Sequence, residues 1–218
     1  ALPDGCTIQN VGASKYDYAL TGNGTVGGNW AINFIRGLHL NGTSSHTKFI
    51  PAQFLGATKT EIASLLSGLF VTDGWVDNNY VGYCSVSEQL LDGVQSLLLR
   101  LGIRSQKCKR FIRYKDTLRP AFNLQIADQA SVLGCAQWLN LRHKQPKLIK
   151  LVEKNRSKVP RGRNKRFIVG NVEFVRIASI TASERSVQMY DVEIEGTHNS
   201  VANNIVASGL YDPERGWN

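Results

Sequence analysis

The chain has 218 residues, a formal net charge of +9 at pH 7 and a sequence pI near 9.5. This length suffices for one good core, and the basic balance favours a polyanionic partner, nucleic acid first and an anionic membrane surface second. Neither a run approaching about 20 apolar residues nor a secretory signal pattern is found, which predicts a soluble, cytoplasmic protein without membrane attachment.

The N-terminal segment 1–28 contains the first of four widely spaced cysteines, Cys6, Cys84, Cys108 and Cys135. No CxxC pair and no histidine at ligand spacing accompany them, which argues against a zinc site. We expect most of these cysteines to be buried as small apolar side chains.

An apolar helix that ends in Leu-Leu-Ser-Gly-Leu-Phe-Val-Thr-Asp-Gly at residues 65–74 is the most informative element. Ser67 and Gly68 are small residues on one face and would let this helix pack closely against another. The helix runs into Asp73 and stops at Gly74, so a carboxylate is presented at its end, where a metal ion could sit.

The remaining elements alternate in a regular order. A strand over 80–87 is followed by a helix that Ser87 caps and Gly102 ends. A β-hairpin comes next, with strands at 104–113 and 121–126 and a turn at 114–117, and then a helix from 128 to about 139. This order predicts an α+β fold in which an antiparallel sheet has helices on one face and leaves the other face free.

The hairpin carries many basic and amide side chains that suit DNA. A two-stranded ribbon fits the major groove, where Arg reads guanine and Asn or Gln reads adenine. Because strand residues alternate between faces, only about half of them can face DNA. A merely solvated hairpin is the alternative. The candidate DNA-binding residues are Arg104, Gln106, Lys107, Lys109, Arg110, Arg113, Arg119, Asn123 and Gln125.

A second basic stretch runs from Arg142 to Arg166. Pro160 and Gly162 argue against a helix at its end, which predicts an extended basic linker over residues 151–170. The stretch is either a solvated loop or a further phosphate-contacting segment, in which case the contacts come from Arg161, Arg163, Lys165 and Arg166.

The motif at 65–74 resembles the LAGLIDADG motif of homing endonucleases, which cut DNA at long target sites. Residues 45–55 and 98–105 are similar to the flanking elements in the endonuclease domains of inteins, so the resemblance covers about 29–150. It implies an αββαββα fold and sequence-specific double-strand cleavage of DNA. The motif occurs once, whereas the family uses two motif helices side by side, so we expect a homodimer.

The resemblance also implies the residues that cleave. Asp73 matches an acidic residue that holds Mg²⁺ or Mn²⁺ for phosphodiester hydrolysis, with Gly74 beside it as a second candidate ligand. A basic residue near the phosphate is expected as well, and Lys109 and Lys115 are the candidates. Val71 stands where the motif has an earlier aspartate.

The region 171–209 resembles the C-terminal part of an intein splicing domain, and Asp191 and His198 match residues that assist splicing. The terminal His-Asn of that family is replaced by Ser208 and Gly209, and glycine has no side-chain amide to cyclise. Ala1 likewise replaces the usual N-terminal cysteine. We expect a splicing remnant followed by a tail at 210–218.

Two other functions remain open. The chain is either the C-terminal fragment of a split intein that splices with a separate N-terminal fragment, or a DNA-binding remnant that does not cleave.

Overall fold

The structure is a computed structural model that describes residues 6–12, 17–22, 30–156, 167–169, 172–182, 199–202 and 204–208. The chain divides into two compact units, Ala1–Asn155 and Arg156–Asn218. Within the described ranges, every helix is too short or too polar to cross a bilayer.

The first unit contains most of the regular structure. In chain order its elements are β1 (Thr7–Asn10), β2 (Tyr18–Thr21), α1 (Trp30–Gly37), α2 (Ala52–Leu55), α3 (Lys59–Thr72), β3 (Gly74–Val76), β4 (Val81–Ser85), α4 (Glu88–Arg100), β5 (Gln106–Tyr114), β6 (Thr117–Ile126), α5 (Gln129–Trp138), a 3₁₀ turn (Arg142–Lys144) and α6 (Gln145–Arg156).

A four-stranded antiparallel sheet with strand order β3-β4-β6-β5 organises this unit. Tyr83 of β4 pairs with Leu124 of β6, and both side chains are buried in the core on the helix-covered side of the sheet. The helices supply the rest of that core, including Leu66 of α3 and Leu91 of α4. The predicted α+β fold, with helices on one face of an antiparallel sheet, is confirmed.

Helix α3 begins at a capping box and packs through one face. Thr58 Oγ1 accepts a hydrogen bond from the Glu61 backbone N–H, and the Glu61 carboxylate accepts one from the Thr58 backbone N–H. The Thr58 hydroxyl also donates to the Glu61 carboxylate at 2.7 Å, and this bond, followed by the one from the Thr58 backbone N–H, lowers the pKa of Glu61. The capping box satisfies N–H groups that a helix start leaves without partners. Four spaced residues turn into the core: Ile62, Ala63, Leu66 and Phe70.

Helix α4 has the predicted boundaries. Ser87 Oγ accepts from the Leu90 backbone N–H at 3.2 Å and donates to the Lys48 carbonyl oxygen at 2.6 Å, which ties the segment before α2 to this helix. Gly102 ends the helix with φ of 75°, and the Ile103 backbone N–H donates to the Leu98 carbonyl oxygen at 2.9 Å. This is a Schellman ending, for which glycine is the favoured residue.

The predicted linker over 151–170 is wrong at its start. Helix α6 extends to Arg156, and Leu151 and Val152 are buried in the core of the first unit. Their side chains recur at helical spacing with Leu148, so apolar burial prevails over the surrounding basic residues. The hairpin turn is also shorter than predicted, since it comprises Lys115 and Asp116.

The cysteine prediction is largely wrong. Cys135 is buried, which raises the pKa of its thiol to about 12, with a smaller contribution from Asp128. Cys6 and Cys108 are half-buried and Cys84 is exposed, and all four are free thiols.

The second unit contains two antiparallel hairpins in its described residues. They are formed by β7 (Phe167–Val169) with β8 (Val172–Phe174), and by β9 (Asn199–Ala202) with β10 (Ile205–Ser208). Residues 175–180 alternate apolar and polar side chains, a pattern that predicts a strand. That prediction is wrong, because these residues have no regular structure and Val175, Ile177 and Ile180 are exposed.

Replacing Gly82 by Ala tests the packing of the sheet. A Cβ at Gly82 would lie 2.3 Å from the Trp75 ring, so we expect a loss of about 1–3 kcal/mol in the free energy of unfolding. Chemical denaturation of Gly82→Ala measures this loss. Gly37→Ala is the matched control, since a Cβ there meets no described atom within 4 Å. If Gly82→Ala and Gly37→Ala are equally stable, the close packing of the Trp75 ring on Gly82 is contradicted.

Candidate functional site

Asp73 forms the C-terminal cap of α3, and β3 begins at the next residue. Its backbone N–H donates to the Leu69 carbonyl oxygen at 3.0 Å, and its carboxylate is exposed. Partial burial and, second, the negative charge of Asp73 raise the pKa of the Cys84 thiol. The same two causes, in the same order, raise the pKa of Tyr83 to about 12. The Asp73 carboxylate therefore lies beside β4, at the β3 edge of the sheet.

The Gly74 carbonyl is already engaged, which argues against its predicted role as a metal ligand. Lys144 Nζ donates to the carbonyl oxygens of Gly74 at 2.6 Å, Val71 at 2.7 Å and Phe70 at 3.0 Å. An ammonium group has three N–H donors, and these contacts use all of them. Gly74 is required for a steric reason instead, since a Cβ there would lie 2.7 Å from the Phe70 carbonyl oxygen.

One face of α3 is left uncovered by the described chain. It lines a groove together with the segment that follows α5. Gly68 lies on this face, and a Cβ built on it meets no described atom within 4 Å. The groove is lined by Thr60, Ala63, Ser64, Ser67, Gly68, Val71, Thr72, Trp138, Asn140 and Arg142.

Ser67 and Arg142 connect this face to the segment after α5. Ser67 Oγ donates to the Ala63 carbonyl oxygen at 2.7 Å and accepts from the Asn140 backbone N–H at 3.0 Å. Arg142, exposed and with φ of 47°, also lines the groove. Such a φ is uncommon for a residue with a side chain. Sequence analysis did not single out Arg142, because it lies in a run of basic residues in which no local pattern distinguishes one cation from another.

Asp73 directly follows Thr72, which lines the groove, and the described residues supply no ready-made metal cluster. No group of three or more His, Cys, Asp or Glu side chains in the described ranges could hold a metal ion. Any divalent cation at Asp73 would therefore need ligands from elsewhere, such as substrate phosphates, water or a second chain.

Three of the predicted DNA-binding cations lie on the helix-covered side of the sheet. Lys107 Nζ lies 3.0 Å from Glu88 Oε1 and 2.5 Å from Asp92 Oδ1, both on α4. Lys109 pairs in register with the core residue Phe122, and Lys109 Nζ lies 5.8 Å from the centroid of the Phe122 ring. Arg113 shares this side by strand alternation. Their prediction as contacts on the free side is wrong, because successive side chains on β5 point to opposite sides.

The two predicted catalytic lysines also lie away from Asp73. Lys109 is on β5, the edge strand opposite β3, and Lys115 is in the turn at the tip of the hairpin with φ of 52°. The geometry therefore does not support either of them as a basic residue acting beside Asp73.

The free side carries the other predicted residues of the hairpin. In the amide orientation that satisfies both of its polar atoms, Asn123 Oδ1 accepts from Arg110 Nε at 3.3 Å. Trp75 of β3 covers Gly82 on this side, in register with Gln125 and Gln106. The free side is the surface of the sheet opposite the helices. Strand pairing gathers five predicted residues on it: Gln106, Arg110, Arg119, Asn123 and Gln125.

Arg104 precedes β5 rather than lying on it. It is half-buried, and its backbone N–H donates to Ser131 Oγ at 2.9 Å. Ser208 is the last residue of β10. The remaining predicted residues lie outside the described ones: Arg161, Arg163, Lys165, Arg166, Ala1, Asp191, His198 and Gly209.

Comparison with known proteins matches residues 60–137 to the family model described as a LAGLIDADG-like domain. Over 115 residues the chain is 29% identical to a probable translation initiation factor IF-2 of Methanocaldococcus jannaschii, covering 51% of this chain and 10% of that protein. Over 102 residues it is 41% identical to the DNA-directed RNA polymerase subunit Rpo1C of the same organism, covering 42% and 12%. The chain thus spans about a tenth of the length of these curated relatives.

Replacing Asp73 by Asn should make Cys84 more reactive. Removal of the neighbouring negative charge lowers the Cys84 pKa, so more thiolate is present near pH 8 and iodoacetamide reacts faster. Peptide mass spectrometry measures alkylation of Cys84, with Cys108 of the same molecule as the internal reference. An unchanged ratio of the two alkylation rates would contradict the placement of Asp73 beside β4.

Proposed function

We propose, on the basis of the LAGLIDADG-like domain at residues 60–137, that this protein is a sequence-specific homing endonuclease. It makes double-strand breaks in DNA by metal-dependent phosphodiester hydrolysis and acts as a homodimer. One observation supports this above the others: helix α3 ends in the exposed carboxylate of Asp73, and the described chain leaves the small-residue face of that helix uncovered.

A second copy of the chain is the occupant proposed for this face. Glycine inside a helix costs about 0.8–1 kcal/mol relative to alanine, and the space around Gly68 offers no reason for it within the described chain. The absence of a side chain there lets another helix approach closely. Two α3 helices related by a two-fold axis would bring two Asp73 carboxylates to neighbouring ends.

Asp73 is the residue proposed to hold Mg²⁺ or Mn²⁺. Magnesium is commonly bound by one or two carboxylates together with substrate phosphates and water, and an exposed carboxylate without a preformed cage fits that pattern. When bound, the metal ion supplies an activated water and stabilises negative charge on the phosphate and the leaving 3′ oxygen. Lys144 Nζ lies 2.6 Å from the Gly74 carbonyl oxygen and disfavours a second cation there, so Gly74 is not among the proposed ligands.

Arg142 and Lys144 have separate proposed tasks. Arg142 is exposed and lines the groove, and its guanidinium can pair with a phosphate through two parallel hydrogen bonds. Lys144 fixes the carbonyl end of α3 and so orients Asp73. Its charge also offsets the negative end of the helix dipole, next to which the substrate phosphate must lie.

The free side of the sheet is proposed to read the bases of one half-site. Arg110 and Asn123 are held to each other, so their orientation is defined before DNA arrives. Arginine suits guanine and asparagine or glutamine suits adenine. Each copy in a dimer would present one such surface, which predicts a target close to a palindrome.

The two archaeal relatives support an intein origin. Their names describe a translation factor and a polymerase subunit, yet each shares with this chain a stretch of about 100 residues, about a tenth of its own length. Short stretches of similarity to two functionally distinct proteins are the pattern that an inserted element produces.

Replacing Asp73 by Asn tests the cleavage proposal. Loss of the carboxylate should reduce the rate of DNA cleavage to below about one hundredth of the wild-type rate, since metal stabilisation of the transition state is worth several kcal/mol. Binding should be largely retained, because the fold and the free side are unchanged. Cleavage of a plasmid carrying the target and gel-shift binding give the two readouts. Asp17→Asn, an exposed carboxylate elsewhere, is the control, and undiminished cutting by Asp73→Asn would refute the assignment.

Replacing Gly68 by Leu tests the dimer. The new side chain enters open space within the described chain, so the monomer should keep its fold, as far-UV circular dichroism would show, but it would separate two facing α3 helices. Sedimentation equilibrium should show dimer for the wild type and monomer for Gly68→Leu. Gln89→Leu, which adds the same side chain to the exposed surface of α4, controls for apolarity. A Gly68→Leu protein that remains a dimer would rule out this interface.

A further inference from the structure

The free side of the sheet is poor in positive charge for a DNA-binding surface. Of the predicted cations on β5 and β6, Lys107, Lys109 and Arg113 lie on the other side, which leaves Arg110 and Arg119. Proteins gain much of their affinity for DNA by neutralising phosphates with Lys and Arg. Other described cations must therefore make a large part of the phosphate contacts if the proposed function is correct.

A cluster of lysines lies on one face of α6. Lys147, Lys150 and Lys154 follow the spacing i, i+3 and i+7, which aligns them along the helix. All three are exposed, while Leu148 and Val152 on the opposite face are buried. Together with the β3–β4 turn, the three lysines line a concavity, hereafter the α6 basic cleft.

The β3–β4 turn forms the second wall of this cleft and is held in place by hydrogen bonds. Lys154 Nζ donates to the Asn78 carbonyl oxygen at 2.9 Å and to Asn79 Oδ1 at 3.1 Å. Asp77 Oδ1 accepts from the Asn78 backbone N–H at 2.6 Å. Asp77 is the one carboxylate among the residues that line the cleft, so three lysines outweigh it.

The position of the cleft suits the phosphate backbone of a duplex. Strand β3 is an edge of the sheet, and the cleft adjoins the turn that leaves this strand. The cleft lies at the margin of the helix-covered side, since its lining includes the core residues Val76 and Leu151. Four strands span about 14 Å between the outermost two, and the major groove is about 12 Å wide. A sheet that enters the groove by its free side therefore meets the bordering backbones at its edges.

We propose that the α6 basic cleft is a phosphodiester-binding site for the DNA backbone, in which Lys147, Lys150 and Lys154 neutralise phosphates of the backbone that passes the β3 edge of the sheet. This inference rests on the proposed function, since it concerns the same DNA. The contacts carry no sequence information and fix the position of the duplex on the sheet.

The test is the salt dependence of binding by the full chain to a random-sequence DNA duplex of about 30 base pairs, long enough for both copies of a dimer. The slope of log affinity against log salt becomes shallower by about 0.9 for each phosphate that the protein no longer neutralises. We expect Lys147→Gln/Lys150→Gln to have a shallower slope by about 1.8 per cleft, from the same relation. Lys48→Gln/Lys59→Gln, which removes the same charge at exposed positions elsewhere, should keep the wild-type slope.

A second variant should change affinity in the opposite direction. Asp77→Asn removes the carboxylate of the cleft but keeps an oxygen that can accept from the Asn78 backbone N–H. We expect several-fold tighter binding in low salt. Circular dichroism melting of each variant tests whether the fold is intact. We expect unchanged melting, because the substituted side chains are exposed.

The inference is overturned if the two double variants have equal slopes, or if Lys147→Gln/Lys150→Gln loses affinity for duplex RNA and none for duplex DNA. These results are separable from a failure of the proposed function. A wild-type protein that binds DNA with the expected slopes but never cleaves it would refute the endonuclease and leave the phosphate site standing.

Discussion

The carbonyl end of α3 is held by a single ammonium group, and the arrangement of the candidate site depends on that contact. Lys144 donates to carbonyl oxygens of residues 70, 71 and 74, so it joins the start of α6 to both the last turn of α3 and the first residue of β3. A helix end leaves carbonyl groups without partners, and a cation there is doubly favourable, by hydrogen bonding and by charge. Arg142, two residues before Lys144, lines the groove on α3.

Strand alternation divides the basic residues of the hairpin between two tasks. Lys107 contacts two carboxylates of α4, each contact being worth about 0.2–1 kcal/mol at this exposure. Lys109 lies over the rings of Phe111 and Phe122. Arg110, next to Lys109 in sequence, faces the other way and bonds Asn123. Adjacent basic residues thus serve stability on one side of the sheet and recognition on the other.

Two surfaces of the first unit complement each other in the proposed complex. The free side of the sheet carries amides and a few arginines, which discriminate bases but neutralise little charge. The α6 basic cleft carries lysines, which act as mobile point charges and suit phosphates. The basic residues behind the net charge of +9 therefore do not contribute equally to DNA binding. Their positions relative to the sheet edge matter more than their number.

The sequence by itself determined the elements and the motif. Apolar spacing, Ser87, Gly102 and the Asp73-Gly74 ending specified helices, strands and the α+β order, because these signals act over a few residues. Only the tertiary structure decided which side chains share a surface. A shift of one residue in register reverses every side chain on β5, and no local signal fixes register. Lys144 and Arg142 meet the end of α3 from about 70 residues away, so their role depends on chain folding rather than on their neighbours in sequence.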